Sequence, residues 1–313
     1  MTEPDLLSPN DVLAQVAAAL PAGVRGNLIV CGSLAAAYWF FAGDGSRAIR
    51  TKDIDGLCSP HAKAVAAATA ITDQLFEANW KLRNDSRFPD PGKPGDAVEG
   101  LPMVRLHPPE GSKWFLELMA APPPYVRGAG GKKLQAIDTA HGSFALCSFD
   151  FLALAEWNPK MTKVGIRIAR PEMMALANML HHPAIADTLI EGTNWKRSNK
   201  DLGRVLALAH LTIEQDRRAG ADDLEDWPVN MWTALQEKFG PDASQLALRA
   251  GAGIRELMQS KEDFSQAVSI ANLGLLASMD LGIEEISATA RRLEVEVIEE
   301  LEILANAQSS NAE

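Results

Sequence analysis

Two carboxylates separated by one apolar residue, Asp53-Ile54-Asp55, are the pattern in this 313-residue chain with the clearest capacity for chemistry. In an extended segment side chains alternate between faces, so both carboxylates project to one side, about 6.5–7 Å apart, while Ile54 turns inward. That arrangement suits a hard divalent cation, Mg²⁺ or Mn²⁺, which takes a few carboxylate oxygens and completes its shell with substrate phosphate. An exposed strand end would carry the same tripeptide and bind nothing. Upstream, Gly32-Ser33 lies where an apolar run passes into a helical one. Glycine lets the backbone approach a ligand, and the first amides of a helix attract anions, with the serine hydroxyl as a further donor; an ordinary helix cap uses the same residues. Glu117 is the only polar residue in Trp114-Phe115-Leu116-Glu117-Leu118-Met119-Ala120. A carboxylate left unpaired in such a strand costs several kcal/mol, so it requires a cation, either a metal ion or an arginine. Asp138 is the reserve for this third acidic position.

The elements that must hold these residues follow from the pattern of apolar and punctuating residues. Ser8-Pro9-Asn10-Asp11 opens a helix that Pro21-Ala22-Gly23 stops. Asn27 to Cys31 reads as a short apolar strand and Leu34 to Ala42 as a buried helix, with Gly43 to Thr51 a polar loop. Lys52 to Cys58 reads as a second strand, followed by an Ala-rich helix from Pro60 to about Trp80. The Pro/Gly marks between Asn84 and Gly100 predict a long surface loop. Strands are expected over Met103 to His107, Trp114 to Ala120, Leu134 to Thr139 and Ser143 to Cys147. From about Phe149 onward the periodicity becomes helical, over Asp150 to Trp157, Pro171 to His182, Asn199 to Glu214, Val229 to Phe239, Asp242 to Met258, Phe264 to Met279 and Glu284 to Ala305. The expected fold is therefore α+β, with an α/β domain over residues 1–148 that packs a mixed sheet against helices and an all-α domain over 149–313.

Taken jointly, apolar strand, Gly-Ser, helix, basic loop, strand with Asp-x-Asp, helix and later strand with one acid resembles the nucleotidyltransferase fold superfamily of DNA polymerase β type. Within it, Leu28-Ile29-Val30-Cys31-Gly32-Ser33-Leu34-Ala35 and Arg50-Thr51-Lys52-Asp53-Ile54-Asp55-Gly56-Leu57 look most like the bacterial stand-alone group that includes AbiEii-type toxins. Pro171-Glu172 and Lys200-Asp201 resemble the Pro-Glu and basic-Asp helix starts of that group. The chain departs from the group at Gly32-Ser33 for Gly-Gly, at Lys52 for Ser, and at Asn178 for Lys.

The resemblance implies transfer of a nucleoside monophosphate from an NTP such as ATP to an acceptor hydroxyl or phosphate, with release of pyrophosphate. Asp53, Asp55 and Glu117 would hold Mg²⁺ or Mn²⁺ and act catalytically, and Gly32, Ser33, Arg50, Lys52 and Lys200 would bind the nucleotide. The acceptor classes it allows are a small molecule, a protein and a tRNA end, and an antitoxin is an implied partner. A catalytically silent member that binds nucleotide or a partner protein is the competing reading.

Composition limits the alternatives. With 41 acidic and 30 basic residues the chain carries a net charge of −11, which argues against a broad, nonspecific grip on nucleic acid. Two basic runs without intervening acids, Lys160/Lys163/Arg167/Arg170 and Arg127/Lys132/Lys133, and also Arg47 beside Arg50, are available to neutralise phosphate or to sit solvated on the surface. Met1 to Asn10 hold two acids and no base, and Leu34 to Ala42 falls far short of the ~20 residues that span a bilayer; a cytoplasmic location without membrane attachment is expected. Cys31, Cys58 and Cys147 are too scattered for a metal or disulfide frame and read as buried thiols. His181-His182, before Pro183, reads as a helix C-terminal cap. Ile286, Ala290, Leu293, Val297, Leu301 and Leu304 form a stripe in the last helix that either packs on its own domain or serves a partner or self-association.

Overall fold

The computed structural model describes residues 6–42, 49–83, 90–109, 112–121, 133–185, 188–190, 192–221 and 224–310. The chain divides into two units, Met1–Arg170 and Pro171–Glu313.

In the first unit the strands are β1 (Leu6–Leu7), β2 (Leu28–Cys31), β3 (Ile49–Arg50), β4 (Asp53–Cys58), β5 (Lys81–Leu82), β6 (Arg105–His107), β7 (Phe115–Ala120), β8 (Lys133–Thr139), β9 (Gly142–Ser148), β10 (Lys160–Met161) and β11 (Arg167–Ile168). Its helices are α1 (Pro9–Ala19), α2 (Ala22–Arg25), α3 (Gly32–Phe41) and α4 (Ala64–Glu77). Ser8 caps α1 by accepting the Asp11 amide, and Pro9 fills the first turn, where its missing N–H has no cost. One face of that helix, Val12, Leu13 and Val16, is buried. α3 is apolar nearly all round, with Leu34 to Ala37 and Phe41 inside, as befits a helix covered on more than one side. α4 places Ala67, Ala68, Ile71 and Leu75 against β4, β7 and β8.

Among the described residues the main sheet is mixed and has nine strands, seven of them in the order β10-β11-β2-β4-β7-β6-β5, with β8 and β9 off this path. β2 runs antiparallel to β4, β4 parallel to β7, and β7 antiparallel to β6. The far edge of β7 is shared, because β6 occupies its first half and β9, which carries β8, meets it at Met119↔Cys147. All four residues of β2 are buried, which explains its uninterrupted apolar run. The Pro/Gly segment after Asp90 docks on the sheet, where Gly92 and Ser143 exchange backbone hydrogen bonds of 2.9 Å. A separate two-stranded sheet pairs β1 with β3.

The helical expectation from Phe149 onward does not hold over its first part. Leu152–Glu156 is a 3₁₀ turn, and the chain then forms β10 and β11. β11 adds to the sheet in parallel with β2, through Arg167↔Ile29 and Ile168↔Val30. A two-residue strand buries too little of its own surface to impose a periodicity, and its position is dictated by the strand it joins.

The second unit contains α5 (Pro171–Ile185), α6 (Arg197–Ala219), α7 (Asp226–Phe239), α8 (Ala243–Gln259), α9 (Lys261–Leu273), α10 (Ile283–Arg292) and α11 (Glu300–Ser310). α5 continues through Pro183, so His181 does not end it. Instead His181 Nδ1 lies 3.0 Å from Asp201 Oδ2 on α6. α6 and α9 approach closely because position 203 is glycine: a Cβ there would lie 2.6 Å from the Ala267 carbonyl oxygen. Between α10 and α11 the helix widens into a π-turn over Leu293–Glu299. Ile286, Ala290, Leu293, Val297 and Leu301 of the anticipated stripe are buried, and the π-turn brings in Ile298 and Ala305 beside them. Arg255 of α8 fastens this segment, donating to both carboxylate oxygens of Glu302 at 2.5 and 2.9 Å and to Glu294 at 3.3 Å. Among the described residues, no helix is long and apolar enough to cross a membrane.

Candidate functional site

Pairing across β2, β4, β7 and β6 aligns one residue from each strand. Cys31 is opposite Asp55, Asp55 opposite Glu117, and Glu117 opposite Arg105. Residues in register share a sheet face, so these four form a row. The adjacent row on the same face contains Asp53, opposite Phe115. Ile54, between the two aspartates, is fully buried in the opposite direction. Asp53 is exposed and Asp55 half-buried. The Thr51 hydroxyl donates to the backbone carbonyl of Asp53 at 3.0 Å and to its Oδ1 at 3.2 Å, so it steadies the first carboxylate from the preceding turn.

Gly32 sets the geometry above Asp55. Cys31 is extended, and Gly32 then takes φ +67°, a left-handed conformation that turns the chain abruptly into α3. A Cβ at this position would stand 2.6 Å from Asp55 Oδ2. Only glycine combines that dihedral with that proximity. The start of α3, with Ser33 next in sequence and half-buried, therefore rests against the second carboxylate. The amides at a helix start favour negative charge, whether that of Asp55 or of a phosphate.

Glu117 receives its cation from the neighbouring strand. Arg105 Nε donates to Oε2 at 2.9 Å and Nη2 to Oε1 at 3.3 Å, a bidentate pair with the glutamate side chain 12% exposed. The sequence presented metal and arginine as equal solutions for this strand, and this arrangement contains the arginine. Arg105 was missed although a signal existed: it and Glu117 are equidistant in sequence from Gly111, the symmetry expected of paired hairpin residues. Asp138, the reserve acid, accepts the Ser143 hydroxyl at 2.5 Å. It lies on β8, separated from β4 by β9 and β7, and is not brought beside the aspartate pair.

The remaining nucleotide-binding candidates are distributed. Lys52 is exposed immediately before β4. Arg50 belongs to β3, with its side chain outside the described residues, as are Arg47, Arg127 and Lys132 entirely. Lys200 is exposed in the first turn of α6, in the second unit. Lys160 and Arg170 converge on the Trp39 ring of α3, at 4.6 and 5.5 Å from its centroid. Lys133 pairs with Asp150 at 3.0 Å. In the second unit Glu172 is buried and accepts from Asn230 at 3.1 Å.

Electrostatics at the row is one-sided near β2. The Cys31 thiol is pushed far up by burial, then by the charges of Asp55 and Glu156. Glu156 also favours the charged form of Arg167, whose pKa is nevertheless lowered by burial. Burial alone raises the Cys58 thiol to about 12. All three cysteines are buried and outside any disulfide.

A divalent ion fits this site in part. Asp53 and Asp55 share a face, and the glycine at 32 lets the Asp55 carboxylate lie close to the start of α3. Glu117, with both oxygens held by Arg105, does not fit as a direct ligand in this arrangement. Among the described residues, no group of three or more His, Cys, Asp or Glu side chains is placed to hold a metal. Comparison with protein-family models, with curated proteins and with solved structures gives no match to this chain.

Proposed function

We propose that the protein is a metal-dependent nucleotidyltransferase that transfers a nucleoside monophosphate from an NTP to an acceptor hydroxyl or phosphate. The observation that carries this reading is the close approach of the Asp55 carboxylate to Gly32 at the start of α3, where a Cβ would stand 2.6 Å from Oδ2, with Asp53 exposed on the same face. An anion-attracting helix start and a cation-attracting acidic pair are thereby placed against each other. Their natural joint ligand is a metal-bound polyphosphate.

Asp53 and Asp55 would hold Mg²⁺ or Mn²⁺, which when bound neutralises phosphate charge and lowers the pKa of an acceptor oxygen. The amides of Gly32 and Ser33 and the Ser33 hydroxyl would orient the polyphosphate. Lys52, exposed beside Asp53, adds positive charge on the approach. Little covalent work falls to these groups; positioning and charge stabilisation supply the rate. Glu117 acts on this view through Arg105, whose guanidinium it fixes on the same face.

A second reading, a catalytically silent protein that binds a nucleotide or a partner, is favoured by the one fact that Glu117 is committed to an ion pair. One experiment separates the two. The full chain is incubated with each α-labelled NTP, Mg²⁺ or Mn²⁺, and tRNA, total protein or small hydroxyl compounds as acceptors, beside an Asp53→Ala/Asp55→Ala control. The transferase reading expects label in an acceptor with the native chain and none with the control. Transfer that survives the double substitution refutes the assignment of the site, and nucleotide binding without transfer supports the silent reading.

A further inference from the structure

The edge of the sheet beyond Glu117 carries a cluster of cations to which the reaction above assigns no ligand. Arg83 follows β5, and its amide donates to the Arg105 carbonyl at 2.8 Å. With Lys81 opposite His107 and Leu82 opposite Leu106, this bond extends the antiparallel register so that Arg83 faces Arg105. The row therefore reads Arg83, Arg105, Glu117, Asp55, Cys31. The row beside it carries Lys81, His107, Phe115 and Asp53, the His107 and Phe115 rings meeting edge to face at 5.8 Å. Positive groups occupy β5 and β6, and negative groups occupy β7 and β4.

Like charges placed directly across a ladder repel. Here two guanidiniums face each other across the ladder, and Glu117 pairs with that of Arg105. The Arg83 guanidinium carbon stands 4.1 Å from the Phe115 centroid, and that of Arg105 stands 6.0 Å from it. Phe115 is nearly covered as a result, with 6% exposure. Arg83 is exposed, and no carboxylate pairs with it among the described residues. Stacking on an aromatic face leaves the edge of a guanidinium, with its forked N–H donors, available to an oxyanion.

We propose that Arg83 and Arg105, held by Phe115 and Glu117, form a binding site for a phosphate group of the acceptor molecule. The proposal rests on the nucleotidyltransferase reading for the identity of the molecule, though not for the existence of the site. Position chooses the acceptor over the nucleotide. β6 and β5 lie two and three strand spacings from β4, about 10–14 Å from the aspartate pair. A phosphate on Arg83 and Arg105 is thus too far from Asp53 and Asp55 to be the one undergoing transfer, and it lies across the sheet from Gly32 and β2.

The test is calorimetric titration of the full chain with inorganic phosphate in the absence of divalent metal, with sodium chloride at matched ionic strength as the control. Phosphate is expected to bind specifically. Arg83→Gln is expected to weaken it tenfold or more, Arg83→Lys to retain part of the affinity, and Asp53→Asn to leave it unchanged or improve it. Arg83 is the variant of choice because its removal unpairs no carboxylate among the described residues, whereas removal of Arg105 strands Glu117. Affinities of Arg83→Gln and native chain within twofold, or heats equal to those of chloride, overturn the site. A second titration on chain saturated with Mg²⁺ and a non-hydrolysable NTP analogue distinguishes the source: retained binding supports the acceptor, and displacement overturns that assignment. A chain that shows the Arg83-dependent binding and no nucleotidyl transfer keeps the anion site and loses only the function proposed above.

Discussion

Gly32→Ala tests the geometry on which the whole site depends. Two separate costs apply. The left-handed φ of +67° costs an L-residue about 1–2 kcal/mol. The new Cβ would also stand 2.6 Å from Asp55 Oδ2, while Asp55 Cγ at 3.6 Å and Cβ at 3.9 Å remain at ordinary contact. Relief requires a rotation of the Asp55 carboxylate or a small shift of α3, an overpacking cost of about 1–2 kcal/mol. The expected total is about 2–4 kcal/mol, read as a lower urea midpoint for the first unit at unchanged m-value. In an Asp55→Ala background only the conformational cost survives, because truncation at Cβ removes the offending oxygen and leaves a contact of normal length. The double-mutant cycle should therefore show a coupling of about 1–2 kcal/mol between positions 32 and 55. Equal costs of Gly32→Ala in the two backgrounds would refute the contact between the helix start and the second carboxylate, and with it the argument that joins the anion site to the acidic pair.

Two further outcomes follow from the ion pairs and buried groups. Glu117→Gln should destabilise by about 1–2 kcal/mol, since the pair is bidentate but partly solvated, and an Arg105→Met/Glu117→Leu double variant should recover most of that loss in the same urea assay; a double variant less stable than either single one would refute the pairing. In the second unit, burial lowers the pKa of His210, against the opposing charges of Glu214 and Glu285 and with help from Arg217. Its Nδ1 lies 3.0 Å from the Thr289 hydroxyl, and its Nε2 is buried with no hydrogen-bond partner among the described residues. The unfolded chain therefore binds a proton below about pH 6.5 that the folded chain refuses. Stability should be unaffected above that value and should fall as the pH drops from 6.5 toward the folded pKa. His210→Gln should flatten this part of a thermal-midpoint-versus-pH curve, and an unchanged slope would show that another group is responsible.

What could be read from the sequence, and what could not, divides along a physical line. Strands long enough to bury their own side chains announced themselves: β2, β4, β7, β8 and β9 fall where apolar runs or alternation placed them, and the helices from α5 onward follow their periodicity. The two-residue strands β1, β3, β5, β10 and β11 did not, because their residues carry no pattern of their own and their place is set by the strands they join. That gap displaced the onset of the helical region from Phe149 to Pro171. The π-turn at Leu293–Glu299 was equally invisible, since it keeps Leu293, Val297 and Leu301 buried and adds Ile298 and Ala305 beside them.

The acidic residues illustrate the same distinction within the site. Alternation alone places Asp53 and Asp55 on one face and sends Ile54 inward, so that relation was legible. Which neighbour satisfies Glu117 depends on the register of β6 against β7. An apolar strand with one buried acid states a demand for a cation without naming its source. The answer, Arg105, brings Arg83 and Phe115 with it, and the face that looked purely acidic from Asp53 and Asp55 becomes half basic. A face with carboxylates at one end and stacked guanidiniums at the other is suited to a ligand that bears a metal-bound phosphate at one point and a bare phosphate at another. On the proposed transferase reading, that constrains the acceptor more than the overall charge of −11 does, because it specifies where on the sheet the acceptor's negative charge would lie.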